Sequence, residues 1–308
     1  MENYHDNFKG VIAIVIASFL WGTTGTVASY SPDVSSLAIG AFSMGIGGVL
    51  LVVTAQKKLF IDYKLMLEQP RILLFGGASV AIYPLAFYTS MRFSGVAIGT
   101  VVSIATAPFF AAILEHLISK KHISQQWILS FVIGAIGIAL LTLGRDQSNN
   151  TAYSINQQGL GILLGCIAGL TYAGYSWAAR RLIESGVHSK ASMSGLFGCA
   201  ALLLLPSLWF TGDNLFSSST NALVSLYMAI IPMFLGYLLF GFGLNYIDAS
   251  KATLITLIEP LVATILAVFI IGEKFKVIGW IGVALVSLCL LMQTIKPQNQ
   301  LRLAFKST

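Results

Sequence analysis

Glu259 is the residue whose type and position most demand explanation. It lies about ten residues into an apolar stretch, directly before Pro260, and no basic residue stands four positions away. A carboxylate at that depth in hydrocarbon costs on the order of 3 kcal/mol to insert. Pro260 has no amide hydrogen, which frees the carbonyl of Thr256. Three chemistries fit: a carboxylate that binds a substrate ammonium, a site that exchanges a proton, or a protonated acid that ties its helix to a neighbour. The preceding residues extend the pattern, since Thr253, Thr256 and Glu259 recur at intervals of three up to Pro260. A matching stripe, Thr100, Ser103 and Thr106, runs up to Pro108. Hydroxyls at that spacing either line a wet cavity or bond back to their own helix.

Aromatic residues are the second source of chemistry. Trp21, Tyr83, Tyr88, Tyr172, Tyr175, Trp177 and Tyr237 all fall inside apolar stretches. Rings there serve as packing or as faces for an aromatic group or an organic cation. Trp21 and Tyr172 correspond when the two halves of the chain are aligned, and they are the favoured pair of walls. Trp127, Trp209 and Trp280 sit at the ends of such stretches and read as interfacial anchors. Glu115 and His116, beside Lys120 and Lys121, form either a proton relay or a solvated salt bridge, and the second is preferred. No His pair has metal-ligand spacing, so no metal and no cofactor are expected.

The elements that must position these residues are membrane helices. The chain is 56% hydrophobic and 10% charged, with a mean hydropathy of +0.82, which leaves too little polar surface to cover it in water. Ten apolar spans are expected, near 10–30, 34–55, 71–91, 95–118, 127–144, 158–181, 191–211, 221–246, 249–272 and 277–295. Each is long enough to cross the hydrocarbon core as a helix. Cys166, Cys199 and Cys289 lie within spans and are odd in number, so a disulfide framework is not expected.

The net charge of +6 does not point to nucleic acid. With the N-terminus inside, Lys9, Lys57, Lys58, Lys64, Arg71, Lys120, Lys121, Arg180, Arg181, Lys190, Lys251, Lys296, Arg302 and Lys306 fall on the inner side, and only Arg92, Arg145, Lys274 and Lys276 on the outer. That asymmetry places both termini in the cytoplasm. The chain also repeats itself. Pro108 and Pro260 lie about half the chain apart, and each is followed by an apolar run, a charged turn and a Trp-led, Gly-containing segment. Five spans per half is an odd number, so the second half enters the membrane from the opposite side and the repeat is inverted. The organisation expected is a cytoplasmic tail over 1–9, one repeat over 10–144, an outer linker over 145–157, a second repeat over 158–295 and a tail over 296–308. The first span lacks a convincing cleavage site and is expected to remain as an anchor.

Several motifs together resemble the EamA-type carriers of the drug/metabolite transporter superfamily. Ala17 to Gly22 (Ala-Ser-Phe-Leu-Trp-Gly) is similar to that family's Trp-Gly first helix, and Gly169 to Arg181 to its sixth. Ile258-Glu259-Pro260, Gly272-Glu273-Lys274, Gly279 and Gly282 resemble its ninth and tenth helices. The likeness covers about residues 10 to 295, and the first half departs from it at Ser119 to His122, where the pattern has Gly-Glu-Lys. The resemblance implies an all-α integral membrane protein of ten transmembrane helices in two inverted five-helix repeats, around a central cavity. It also implies export of amino acids or other small metabolites, with organic cations as the alternative cargo.

No catalytic motif, phosphate loop or soluble ATPase domain is present, so an enzyme is not expected and transport would be secondary. A channel or passive facilitator is the rival from another class, since polar stripes can also line an open pore. The cavity residues expected are Trp21, Tyr83, Thr100, Ser103, Tyr172, Tyr175, Tyr237, Thr253, Thr256 and Glu259, with Pro108 and Pro260 as helix breaks about which the halves rock. The partners expected are a small-molecule substrate, coupled or not to protons, the lipid bilayer of a bacterial inner membrane, and a second copy if the chain dimerises.

Overall fold

A computed structural model of the chain describes residues 2–94, 96–144, 155–271 and 276–294, and these are helical apart from short turns. In order the helices are α1 (Glu2–Gly22), α2 (Thr24–Ala28), α3 (Ser36–Leu67), α4 (Pro70–Ser94), α5 (Val96–Leu117), α6 (Gln125–Leu143), α7 (Ile155–Glu184) and α8 (Ser189–Thr211). They are followed by α9 (Ser219–Met228), a π-helical turn (Ala229–Leu235), α10 (Gly236–Gly243), α11 (Ala249–Ile255), α12 (Ile258–Leu266), a second π-helical turn (Ala267–Ile271) and α13 (Val277–Thr294). Among the described residues, seven helical segments are long and apolar enough to cross a membrane, and three apolar helices are shorter. Large apolar side chains such as Trp209 and Phe210, 89% and 84% exposed, stand on the outside. A surface of that kind suits lipid rather than water, and the protein is an integral membrane protein.

Side-chain oxygens set the local geometry of the helices. Ser35 and Ser218 cap α3 and α9 by accepting from the amides of Ala38 and Asn221. Thr23 and Thr24 donate back to the carbonyls of Leu20 and Trp21, at 2.6 and 2.7 Å, where α1 gives way to α2. The second span was expected to end near 55, yet α3 runs on to Leu67. The extension is held by Asp62, which is buried and accepts from the His188 amide at 2.8 Å. Its exposed lysines are compatible with a helix that simply leaves the membrane. The charged turn expected at Glu273 and Lys274 lies outside the described residues.

The helices pack in recurring pairs. α3 lies on α8, α6 on α13 and α5 on α11, while α4 and α5 both lie on α7, and α10, α11 and α12 lie on α1. Small residues permit the closest approaches. Gly161, Gly165 and Gly169 bring α7 against Ser94, Ser90 and Thr106, and the Ser90 hydroxyl donates to the Gly161 carbonyl at 2.7 Å. The turns following α5, α7 and α10 meet at one end of the bundle, a basic end where Lys121, Arg180 and Arg181 stand around Glu184 and Asp248.

Gly282 marks the tightest contact of α13 with α6. A Cβ there would fall on the Leu141 amide nitrogen and the Gly137 carbonyl oxygen, and backbone cannot swing aside as a side chain can. Gly282→Ala is therefore expected to force the two helices apart at a cost of about 1–3 kcal/mol. The variant should show a lower melting midpoint in detergent, measured by loss of monodisperse protein on heating.

Candidate functional site

The discontinuity of the ninth span builds the site. α11 ends at Ile255, and α12 does not begin until Ile258. Pro260 cannot donate to the Thr256 carbonyl, which instead accepts from the Glu259 amide at 2.9 Å. The break thus falls on the residues around Glu259. Pro108, its counterpart, sits inside an unbroken α5, so the two prolines differ in their local effect.

A second free carbonyl, that of Pro232, lies within the π-helical turn that precedes α10. The Gly236 amide there bonds to the carbonyls of Ile231 and Met233 and passes over that of Pro232. The freed Pro232 carbonyl accepts from the Trp21 indole nitrogen at 2.8 Å. Gly236 has to be small, because a Cβ would stand 2.6 Å from that nitrogen.

These breaks surround a cavity of ≈ 50 Å³. α1 and α2 contribute Trp21 and Thr24, α3 Gly40, Ser43 and Met44, and α4 Tyr83, Pro84, Phe87 and Tyr88. The second half supplies Tyr172, Tyr175, Met233, Tyr237 and Glu259. Glu259 is the only charged side chain among these lining residues, and among the described residues its carboxylate has no hydrogen bond or ion pair. Rings surround it. Tyr172 stacks on Tyr175 at 5.2 Å, Tyr83 lies 5.5 Å from Tyr172, and Trp21 lies 4.8 Å from Tyr237. The Tyr175 and Tyr237 hydroxyls bond to each other at 3.1 Å.

Of the residues singled out in the sequence, Trp21, Tyr83, Tyr172, Tyr175, Tyr237 and Glu259 come together at this cavity. The hydroxyl stripes do not reach its wall. Ser103 donates to the Gly99 carbonyl, Thr253 to that of Ala249, and Thr100 to the Met91 sulfur. Each hydroxyl is satisfied locally, so its periodicity does not mark a wet face. Thr256 is buried just behind the wall, where it accepts from the Tyr172 hydroxyl at 2.9 Å and donates to the Thr253 carbonyl. Glu115 differs from the solvated pair expected of it. It is 5% exposed, while His116 turns to the Lys121 carbonyl.

Sequence reasoning left out Thr24, Gly40, Ser43, Met44, Pro84, Phe87, Tyr88 and Met233 from its cavity. Phe87 stands one turn from Tyr83, a helical spacing that could have signalled a continuous aromatic face. Gly40 and Met233 carry no such signal. A larger hollow of ≈ 500 Å³ lies between α3, α4 and α8, but its lining is almost wholly apolar. Its Ser194 hydroxyl is already bonded to the Leu51 and Lys190 carbonyls. That hollow suits acyl chains and offers no group to orient a polar ligand.

Tyr172 and Thr256 together provide a test of how the wall is held. Tyr172→Phe and Thr256→Val are each expected to lower the melting midpoint in detergent, at a cost of about 0.5–1.5 kcal/mol for the lost bond. The double variant should be no worse than the poorer single one, because both remove one hydrogen bond. Thermal unfolding of the purified variants would check this.

The sequence profile of the EamA-like transporter family matches residues 8–143 and 159–294. A Bacillus subtilis (strain 168) protein described as an uncharacterized transporter, YwfM, is 33% identical over 290 residues, covering 93% of this chain and 94% of that one. A Salmonella typhimurium (strain LT2) protein described as an uncharacterized inner membrane transporter, YicL, is 24% identical over 96% of this chain and 98% of its own length. A solved structure described only as "Crystal structure of protein" shares the fold, with a TM-score of 0.76 at 16% identity, over 92% of this chain and 95% of that one.

Proposed function

The chain belongs to the EamA-like transporter family, and on that premise we propose that it is a secondary transporter exporting amino acids or related small metabolites across a bacterial inner membrane. The proposed cycle is alternating access around the Glu259 cavity, in a frame of ten transmembrane helices arranged as two inverted repeats with both termini in the cytoplasm. One observation carries the substrate side of this reading. Among the described residues the Glu259 carboxylate is unpaired, stands among aromatic faces and has no basic residue beside it in the lining, a setting that a substrate ammonium would neutralise. Trp21, Tyr83, Tyr172, Tyr175 and Tyr237 would contact the substrate. Thr256 would orient Tyr172, and Thr100, Ser103 and Thr253 would shape the helices behind.

The packing pairs support the repeat. Exchanging the halves turns the α4–α7 contact into α10–α1 and the α5–α7 contact into α11 and α12 on α1, while α3–α8, α6–α13 and α5–α11 map onto themselves. The ring pairs Trp21–Tyr237 and Tyr172–Tyr83 exchange in the same way. The cavity size supports motion. At ≈ 50 Å³ it holds a few waters, against the ~300–1,000 Å³ of ordinary small-molecule sites, so its walls must separate to admit a metabolite. The aromatic lining also favours a second reading, an organic-cation exporter, in which cation–π contact replaces zwitterion recognition.

Counterflow in proteoliposomes tests both. Amino acids and amines are loaded singly, and uptake of the labelled species is followed. Saturable, trans-stimulated uptake of a zwitterion supports the first reading, and of bulky cations but not zwitterions the second. Uptake without trans-stimulation indicates a channel and defeats both.

A further inference from the structure

One end of the bundle carries a cluster of charged side chains that are not among the lining of the cavity. Lys121, in the turn after α5, donates from Nζ to Glu184 Oε1 at 2.7 Å and to Asp248 Oδ1 at 2.5 Å. Arg180 donates from Nε to Glu184 at 3.0 Å, approaches Asp248 at 3.6 Å, and donates from Nη1 to the Leu244 carbonyl at 2.5 Å. Arg181 completes the cluster, 3.8 Å from Glu184. Every member except Lys121 belongs to the second repeat, whereas Lys121 belongs to the first. The Arg180 contacts therefore arrange the two carboxylates, and within this cluster the ion pairs of Lys121 join one half to the other.

The turn that presents Lys121 is itself held in place. Lys120 has φ of +56°, an uncommon conformation for a residue with a side chain. The Lys121 amide donates to the Glu115 carbonyl at 3.1 Å, the Lys121 carbonyl meets the His116 ring at 3.0 Å, and the Trp177 indole donates to Ser119 at 3.0 Å. Burial pulls the Lys121 ammonium pKa down, but its hydrogen bonds to Asp248 and Glu184 more than offset this and leave it above the ordinary lysine value. The ammonium stays charged at physiological pH. Glu184 lies about 13 Å along α7 from the cavity residue Tyr175, at the helical rise per residue.

We propose that Lys121, Glu184, Asp248 and Arg180 form a latch that closes the transport cavity at the basic end of the bundle and must break for the cavity to open there. The proposal rests on the alternating-access reading and adds to it the gate and the residue that spans the halves. A half-buried network with several bonds to one ammonium is a stronger tie than a lone surface pair. Its loss shifts the balance toward the state open at the basic end.

Cysteine accessibility tests the latch. Ser176 is buried, its hydroxyl has no hydrogen-bond partner among the described residues, and it stands one turn from Arg180 toward Tyr175. In full-length protein with Cys166, Cys199 and Cys289 replaced by Ala, Ser176→Cys is exposed to a membrane-impermeant thiol reagent from the basic end, in inside-out vesicles. Lys121→Gln is expected to speed labelling about tenfold, the size of a modest population shift, while Lys121→Arg keeps the slow rate. Equal rates for Lys121→Gln and the parent overturn the proposal. Separately, a disulfide between Lys121→Cys and Asp248→Cys should stop counterflow until it is reduced; a formed cross-link with unimpaired counterflow also overturns it. If the parent shows no counterflow, the transport reading has failed, and the labelling comparison still decides the latch.

Discussion

Replacing Glu259 with Gln is expected to lower counterflow by about 10- to 100-fold, the range set by the ~1.5–3 kcal/mol of a hydrogen bond to a charged group. The change removes a charge and keeps the shape. Among the described residues the carboxylate has no hydrogen bond or ion pair, so its loss should leave the thermal midpoint nearly unchanged. Binding and folding are thereby separated. Glu259→Asp keeps the charge but withdraws it toward the broken backbone, and it should retain more activity than Gln. If Glu259→Gln transports normally, the carboxylate does not recognise the substrate. If it instead melts early, the acid ties helices together, the structural role the sequence also allowed.

Trp21→Ala should be the most damaging substitution at the cavity for the fold itself. The ring is buried, packs 4.8 Å from Tyr237 and 5.4 Å from Phe240, and holds the Pro232 carbonyl that the π-helical turn leaves free. Deleting so large a buried side chain costs about 3–5 kcal/mol. Leaving that carbonyl unpaired away from water adds about 1–3 kcal/mol. The expected outcome is poor recovery of folded protein, a lowered melting midpoint and no measurable counterflow. Trp21→Phe retains most of the packing and loses only the donor, so it should fall between Ala and the parent on both measurements. Equal behaviour of Phe and parent would show that the Pro232 carbonyl finds another partner.

Much of the site was legible because aromatic rings and a carboxylate are costly or conspicuous in an apolar span. Trp21, Tyr83, Tyr172, Tyr175, Tyr237 and Glu259 could be named from type and position, and the structure gathers them around one cavity. The hydroxyls left two readings open for a physical reason. A Ser or Thr within a helix can always reach a carbonyl one turn back, as Ser103 and Thr253 do, so its spacing carries no information about a cavity. Gly40 and Met233 were illegible, since they line the wall only because of what packs beside them. Even the repeat conceals an asymmetry. Pro108 and Pro260 correspond, yet Ala107 stands where the second half has Glu259, and α5 remains unbroken where the ninth span divides.

The sequence by itself determined that the chain is a membrane protein and that it belongs with the EamA-like transporters. Those properties depend on composition and chain order, which solvation by lipid reads directly. It could not determine which face of each span turns inward. Lipid tails are as apolar as a protein core, so a lipid-facing leucine and a buried one look alike along the chain. Tertiary packing decided that Pro232 would offer its carbonyl to Trp21, and that Lys121 would meet Glu184 and Asp248 from the other half. Those pairings join residues far apart in sequence, and only the meeting of the two halves brings them within reach.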